Sequence, residues 1–128
     1  MAYIYSDGGR SNYFKGKADD CAARAMAIAL GLDYKNCYKA LADQHKRSTG
    51  KRTARSGIFR EDFDAVLKRN GWRWKTAPKF TGRKAKCSDM PTGRVIARMA
   101  RHYAAVIDGV PHDTFDSSHK MIYGYWIK

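Results

Sequence analysis

Acidic residues, cysteine and proline are all scarce in this 128-residue chain, and no long apolar run is present. Asp plus Glu number 12 against 25 Lys plus Arg, for a formal net charge of +13. A field of that sign favours polyanionic company: nucleic acid, an anionic membrane face or an acidic protein surface. The only cysteines are Cys21, Cys37 and Cys87. Three thiols cannot all pair with one another, and their spacing fits neither a CxxC redox motif nor a zinc-ligand pattern. Free thiols in a reducing intracellular compartment are therefore expected, with no metal and no cofactor. The longest apolar stretch, residues 22–32, is broken by Arg24 and is too short to span a bilayer. The opening residues MAYIYSDGG lack both a basic n-region and an apolar h-region, so neither a signal peptide nor a membrane partner is expected.

What is present suffices for a core. Hydrophobic residues make up 44% and aromatics 12%, and the length suits a single domain over residues 1–128. After an irregular lead-in with a short edge strand at residues 3–5, Asp19 or Asp20 can cap a helix over residues 21–31, with Gly31 as its stop. Ala, Met, Ile and Leu line this helix nearly all round, so it is expected to be the buried central helix. Asp33 caps a second helix, in which Tyr34, Cys37, Tyr38 and Leu41 form one stripe at i, i+3, i+4 and i+7. A polar loop over 48–57 leads to a third helix with Phe59, Phe63, Val66 and Leu67 as its apolar face and Gly71 as its stop. Strand patterns then take over: WRWKTAPKF, a basic loop over 81–93, two apolar-rich runs joined at Asp108-Gly109, and KMIYGYWIK. Helices first and an antiparallel sheet second predict an α+β domain.

Chemistry enters with Cys21, which opens the central helix. Free amides and the helix dipole favour thiolate there, whereas Asp19 and Asp20 oppose it, so a nucleophilic role needs a partner imidazolium. The ordinary alternative is a small buried hydrophobe. Hairpin parity selects among the four histidines. With Asp108-Gly109 as a two-residue turn, Ile107 faces Val110, Val106 faces Pro111, Ala104 faces Asp113 and His102 faces Phe115. His102 and Asp113 then share a face one diagonal step apart, while His112 and Asp116 point the other way. A slip of one residue would exchange Asp113 for Asp116. On its own such a His–carboxylate pair is more often structural than catalytic.

A cysteine opening a buried helix, followed much later by a histidine on one strand and an aspartate on the next, resembles the papain-like cysteine peptidase fold. A small bacteriophage-encoded branch of that superfamily is similar in more detail. DDCAARAMAIALGLDY looks like its helix, with Arg24 and Ala25 after the cysteine. The stretch from Pro91 through Gly93, Arg94, His102, Ala105, Val106, Asp108, Gly109 and Asp113 to Thr114 looks like its C-terminal block. The resemblance covers about a third of the chain closely. It implies a thiol nucleophile at Cys21, a general base at His102 and an orienting acid at Asp113. It further implies a peptidase, isopeptidase or amidase (deamidase) acting on a host or phage protein, as a monomer in the cytoplasm of an infected bacterium. Where papain-like enzymes usually carry a Gln, six residues before the cysteine, this chain has Lys15. Asn12 or the Cys21 backbone amide is left as oxyanion donor.

The basic middle supports a different class of function. Residues 46–60 hold six Lys or Arg and no acid, and residues 68–86 hold eight more, interleaved with Trp72, Trp74 and Phe80. Cations alternating with aromatics suit a nucleic-acid surface, and the same charge would attract an acidic protein. The alternative to a hydrolase is thus a non-catalytic basic module of the same fold, binding through Arg47, Lys51, Arg52, Arg55, Arg73, Lys75, Arg83 and Lys84. Against this, Trp72 and Trp74 share a strand face and can equally anchor a core. Cys87, in a Lys-rich loop, is a weaker candidate for a redox or thiol-transfer role.

Overall fold

A computed structural model describes residues 3–6, 8, 9, 21–49, 60–99 and 102–128, and the side chains of 45–49 and 60–62 lie outside that description. Three helices, α1 (Cys21–Leu30), α2 (Tyr34–Thr49) and α3 (Arg60–Arg69), accompany six strands: β1 (Ile4–Tyr5), β2 (Arg73–Thr76), β3 (Arg94–Met99), β4 (His102–Ile107), β5 (Val110–Asp113) and β6 (Ile122–Ile127). The strands form one sheet in the order β1-β5-β4-β3-β6-β2. The fold is α+β.

Helices α1 and α3 end where their sequences stop them, and α2 runs on to Thr49, two residues into the stretch expected as loop. Gly31, at φ +67°, turns the chain after α1 while the Leu32 N–H donates to the Ala27 carbonyl at 3.1 Å. Gly71, at φ +82°, does the same after α3, with the Trp72 N–H on the Leu67 carbonyl at 3.0 Å. Helix α1 is buried along almost its whole length, through Ala22, Ala23, Ala25, Met26, Ala27 and Ala29. The alanines let it lie close against β4 and β3. In α2, Tyr34, Cys37 and Leu41 are buried with Tyr38 beside them, and in α3 Phe63, Val66 and Leu67 are buried. These side chains meet Ile96, Ala105 and Trp126 from one face of the sheet. Alternation along the strands sends Val95, Ala97, Met99, Ala104, Val106 and Tyr125 to the opposite face, under Ala77, Ala85, Cys87 and Met90. Full burial of a side chain such as Leu41 or Phe63 is worth roughly 1.5–3 kcal/mol, so the helical layer contributes heavily to stability.

Two expectations about the sheet need correction. It is mixed, because β1 pairs parallel with β5 through Ile4↔His112 and Tyr5↔Asp113. A parallel pair requires a long crossover, and nearly the whole chain supplies it here. Moreover, the apolar run before Asp108-Gly109 is two strands: β3 and β4 pair antiparallel from Met99↔His102 to Arg94↔Ile107. A run of fourteen residues exceeds the usual strand length, and folding it back lets both halves pair. Within the basic loop, Cys87–Asp89 form a single 3-10 turn.

The two tryptophans belong to the core. Trp72 is 6% exposed, and Trp74 lies 5.7 Å from Trp126 by ring centroids. The Trp74 ring rests so closely on Gly124 that any Cβ there would collide with it, so that position needs glycine. Pairing between β3 and β6 shifts at Arg98/Met99. The extra residue on β6 is Tyr123, which turns outward.

Candidate active site

The β4–β5 hairpin sets the site. Asp108 (φ +51°) and Gly109 (φ +80°) both occupy the left-handed region, as a type I′ turn requires. The resulting register is Ile107↔Val110, Val106↔Pro111 and Ala105↔His112, the one anticipated from the Asp-Gly pair. At the open end His102 begins β4 and Asp113 ends β5. Their side chains meet, the imidazole Nε2 lying 2.5 Å from Asp113 Oδ2, and both are buried, at 8% and 3% side-chain exposure. Cys21, the first residue of α1 and half-buried, lies near enough to the same imidazole to act on its protonation. Because Nε2 is engaged by Asp113, Nδ1 is the nitrogen left to the thiol. Three side chains from three elements thus stand in series.

Asp113 is held by more than the histidine. Its Oδ1 accepts the Thr114 N–H at 2.8 Å, and its Oδ2 accepts the Ser117 hydroxyl at 2.9 Å. Burial alone would raise its pKa, but His102 and these donors together hold the carboxyl below the ordinary aspartate value. For His102, burial acts to lower the pKa; the hydrogen bond to Asp113, with Cys21 acting in the same direction, outweighs it and lifts the ring to about 9. The Phe115 ring packs on the imidazole with centroids 4.9 Å apart, fixing its plane.

Thr114 entered the sequence reading only as the end of the C-terminal block and Phe115 only as the residue facing His102, while Ser117 did not stand out at all. Ser117 lies four residues after Asp113 in irregular chain, where neither period 2 nor period 3.6 applies. The serine density of residues 114–118 was the only available hint. His112 lies on the opposite face, as parity required, and its pKa is lowered by partial burial and by Arg94. Motif residues outside the site brace the turn instead: the Gly93 N–H donates to Asp108 Oδ1 at 2.8 Å, and the Asp108 N–H to the Gly93 carbonyl at 3.0 Å.

The remaining thiols are unlike Cys21. Cys37 and Cys87 are 2% and 1% exposed, and burial first, with nearby aspartates second, pushes each thiol up to about 12. The accessible, reactive Cys87 suggested by its loop is therefore corrected: the 3-10 turn folds it inward. Among the described residues no cluster of three or more His, Cys, Asp or Glu could hold a metal.

Of the surface cations, Arg73, Lys75, Arg83 and Lys84 are exposed. Arg83 is paired bidentately with Asp89, at 2.7 and 2.9 Å. Lys51, Arg52 and Arg55 lie outside the described residues, as do the side chain of Arg47 and Asn12, Lys15, Asp19, Asp20 and Phe59. Of the three aromatics in the nucleic-acid pattern, Trp72 and Trp74 are turned into the core rather than offered for stacking, and Phe80 is exposed. No helix among the described residues is long and apolar enough to cross a membrane. No protein-family model, curated protein or solved structure matches the chain.

Proposed function

We propose that this chain is a cysteine-dependent hydrolase of papain-like fold, similar to the small bacteriophage-encoded branch of those enzymes. It would cleave a peptide, isopeptide or side-chain amide bond of a host or phage protein in the cytoplasm of an infected bacterium. The observation that carries this reading is the Cys21–His102–Asp113 series, with the thiol at a helix start and the imidazole oriented from behind by a buried carboxylate. A ring that stays protonated up to about 9 is the partner a nucleophilic thiolate requires.

In this mechanism His102 Nδ1 takes the proton from Cys21 Sγ, and the resulting imidazolium is stabilised by Asp113. The thiolate attacks the carbonyl carbon. Collapse of the tetrahedral adduct expels the amine, which leaves with the proton from His102. Water, deprotonated by His102, then attacks the thioester and releases the acid, regenerating the thiol. The Cys21 N–H, one of the helix amides lacking an intrahelical acceptor, is available to the oxyanion.

Alkylation by iodoacetamide, followed residue by residue across pH, tests the pair. Cys37 and Cys87 should stay silent, so the signal reports Cys21. Fast reaction below pH 7 that moves to higher pH in His102→Ala is the expected result. A Cys21 that is inert, or that titrates near the free-thiol value of about 8.5 with or without His102, would sink the proposal.

A further inference from the structure

Between the segment following β2 and the start of β6 runs a groove of about 330 Å³. Its floor is apolar, built from Ala77, Pro78, Ala85, Met121 and Ile122. Two exposed rings flank it, Phe80 at 38% and Tyr123 at 41%, and the exposed ammonium groups of Lys79 and Lys84 stand along its rim. One face of each ring already carries a guanidinium, Arg83 over Phe80 at 3.8 Å and Arg98 over Tyr123 at 5.5 Å. Those faces are closed to a stacked base, and Asp89 anchors Arg83 in place. The combination therefore suits apolar side chains flanked by carboxylates better than it suits nucleotides.

The groove is also placed for the thiol. Met99 pairs with His102 on one side and Ile122 on the other, so these three cross-strand partners share a face. Two strand spacings put Ile122 roughly 10 Å from His102, about three residues of extended peptide. The chain from Asp113 to Ile122 spans that interval, carrying exposed Phe115 against His102 at one end and Met121 in the groove at the other. Lys120 lies 5.9 Å over the Phe115 ring between them, so the path itself is apolar and cationic.

We infer that this groove holds an acidic, apolar-containing segment of the protein substrate a few residues from the bond presented to Cys21. The inference rests on the hydrolase reading for its link to the thiol, whereas binding itself does not. The test uses a short fluorescein-labelled peptide of glutamate and leucine, and its glutamine-for-glutamate counterpart, titrated into the Cys21→Ala protein by fluorescence anisotropy. The acidic peptide should bind at least about tenfold more tightly than the neutral one. Lys79→Glu with Lys84→Glu should remove about that factor, while Lys39→Glu, exposed on α2 and away from the groove, should not. With Cys21 present, the acidic peptide should slow its alkylation. Equal affinity for both peptides, indifference to the Lys79/Lys84 reversal, or undiminished Cys21 alkylation in the peptide complex would each overturn the inference. So would oligothymidylate binding that displaces the peptide and depends on the same two lysines, which would assign the groove to nucleic acid. Failure of the hydrolase reading is seen separately, in alkylation that ignores His102→Ala while lysine-dependent peptide binding persists.

Discussion

The two ends of the β4–β5 hairpin each use an aspartate, and to opposite purposes. At the turn Asp108 is exposed, sits at φ +51°, and spends its carboxylate on the Gly93 N–H. At the open end Asp113 is 4% exposed and gathers an imidazole, a hydroxyl and a backbone amide. Water screens the first, so its bond locks geometry and little else. The second lies in a low-dielectric setting, where each partner shifts the protonation of the others. Four residues of the hairpin separate a structural carboxylate from one able to orient a base. The turn makes the open end possible, because its register brings Asp113 rather than Asp116 to His102.

The largest effect should come from cutting the open end at the imidazole. His102→Ala is expected to lower Cys21 alkylation at neutral pH steeply, and any amide hydrolysis by about 10²–10⁴, the usual contribution of a positioned general base. Asp108→Ala should leave the alkylation profile in place, since its carboxylate never reaches the thiol. Loss of reactivity in both variants to the same degree would erase the distinction between the two ends.

Next in size is stability. Asp113→Ala strands a buried imidazole and should cost about 3–5 kcal/mol in urea unfolding. The pH dependence carries a defined sign. His102 is raised from 6.5 to about 9 in the folded chain, so its stabilisation is complete below pH 6.5 and disappears as pH rises through about 9. Asp113 is lowered from 3.8, so its contribution is complete above that value and disappears as pH falls through its folded pKa. The urea midpoint of the native protein should therefore decline from pH 6.5 to 9, and His102→Gln should flatten that limb. A variant with an unchanged alkaline limb would show that the ring is not the group responsible.

How much of this was legible in the sequence depends on where local chemistry decides the structure. Asp108-Gly109 fixes a turn type, the turn fixes a register, and the register placed His102 beside Asp113 with no information about the remainder of the chain. The stripes of α2 and α3 followed from spacing in the same way. Contacts between distant segments left no such mark. Nothing in IY indicates a parallel partner on β5, and nothing in the run from Arg94 to Ile107 indicates a fold-back at its middle. Trp72 and Trp74 read equally as platform or core until Gly124 was seen to leave room for the Trp74 ring. Ser117 was invisible because irregular chain has no period.

Alanine at Gly109 probes the turn end. At φ +80° a Cβ is strained by roughly 1–2 kcal/mol, and the added atom would stand 3.5 Å from Ser88 Cα, an ordinary contact. The expected cost is therefore backbone strain alone, read as a lower urea midpoint with an unaltered pH dependence. A larger loss accompanied by a changed alkaline limb would mean that the register had slipped and carried Asp113 away from His102.

The smallest effect sharpens the comparison most. Ser117→Ala removes one neutral donor from Asp113 and should cost only about 1 kcal/mol, the net worth of a typical hydrogen bond. The missing hydroxyl had favoured the ionised carboxylate, so the Asp113 pKa should rise toward its ordinary value and the acid limb of stability should begin at higher pH. A weaker hold on Asp113 should in turn release His102, and the pH profile of Cys21 alkylation should move with it. Asp108→Ala costs a similar amount at the other end of the hairpin but has no titrating partner, so neither limb should shift. Equal stability losses with unequal pH profiles would separate a carboxylate that holds a backbone from one that holds a charge. If the Ser117→Ala profile coincides with that of the native protein, the hydroxyl acts as packing and Asp113 is held by His102 and the Thr114 amide alone.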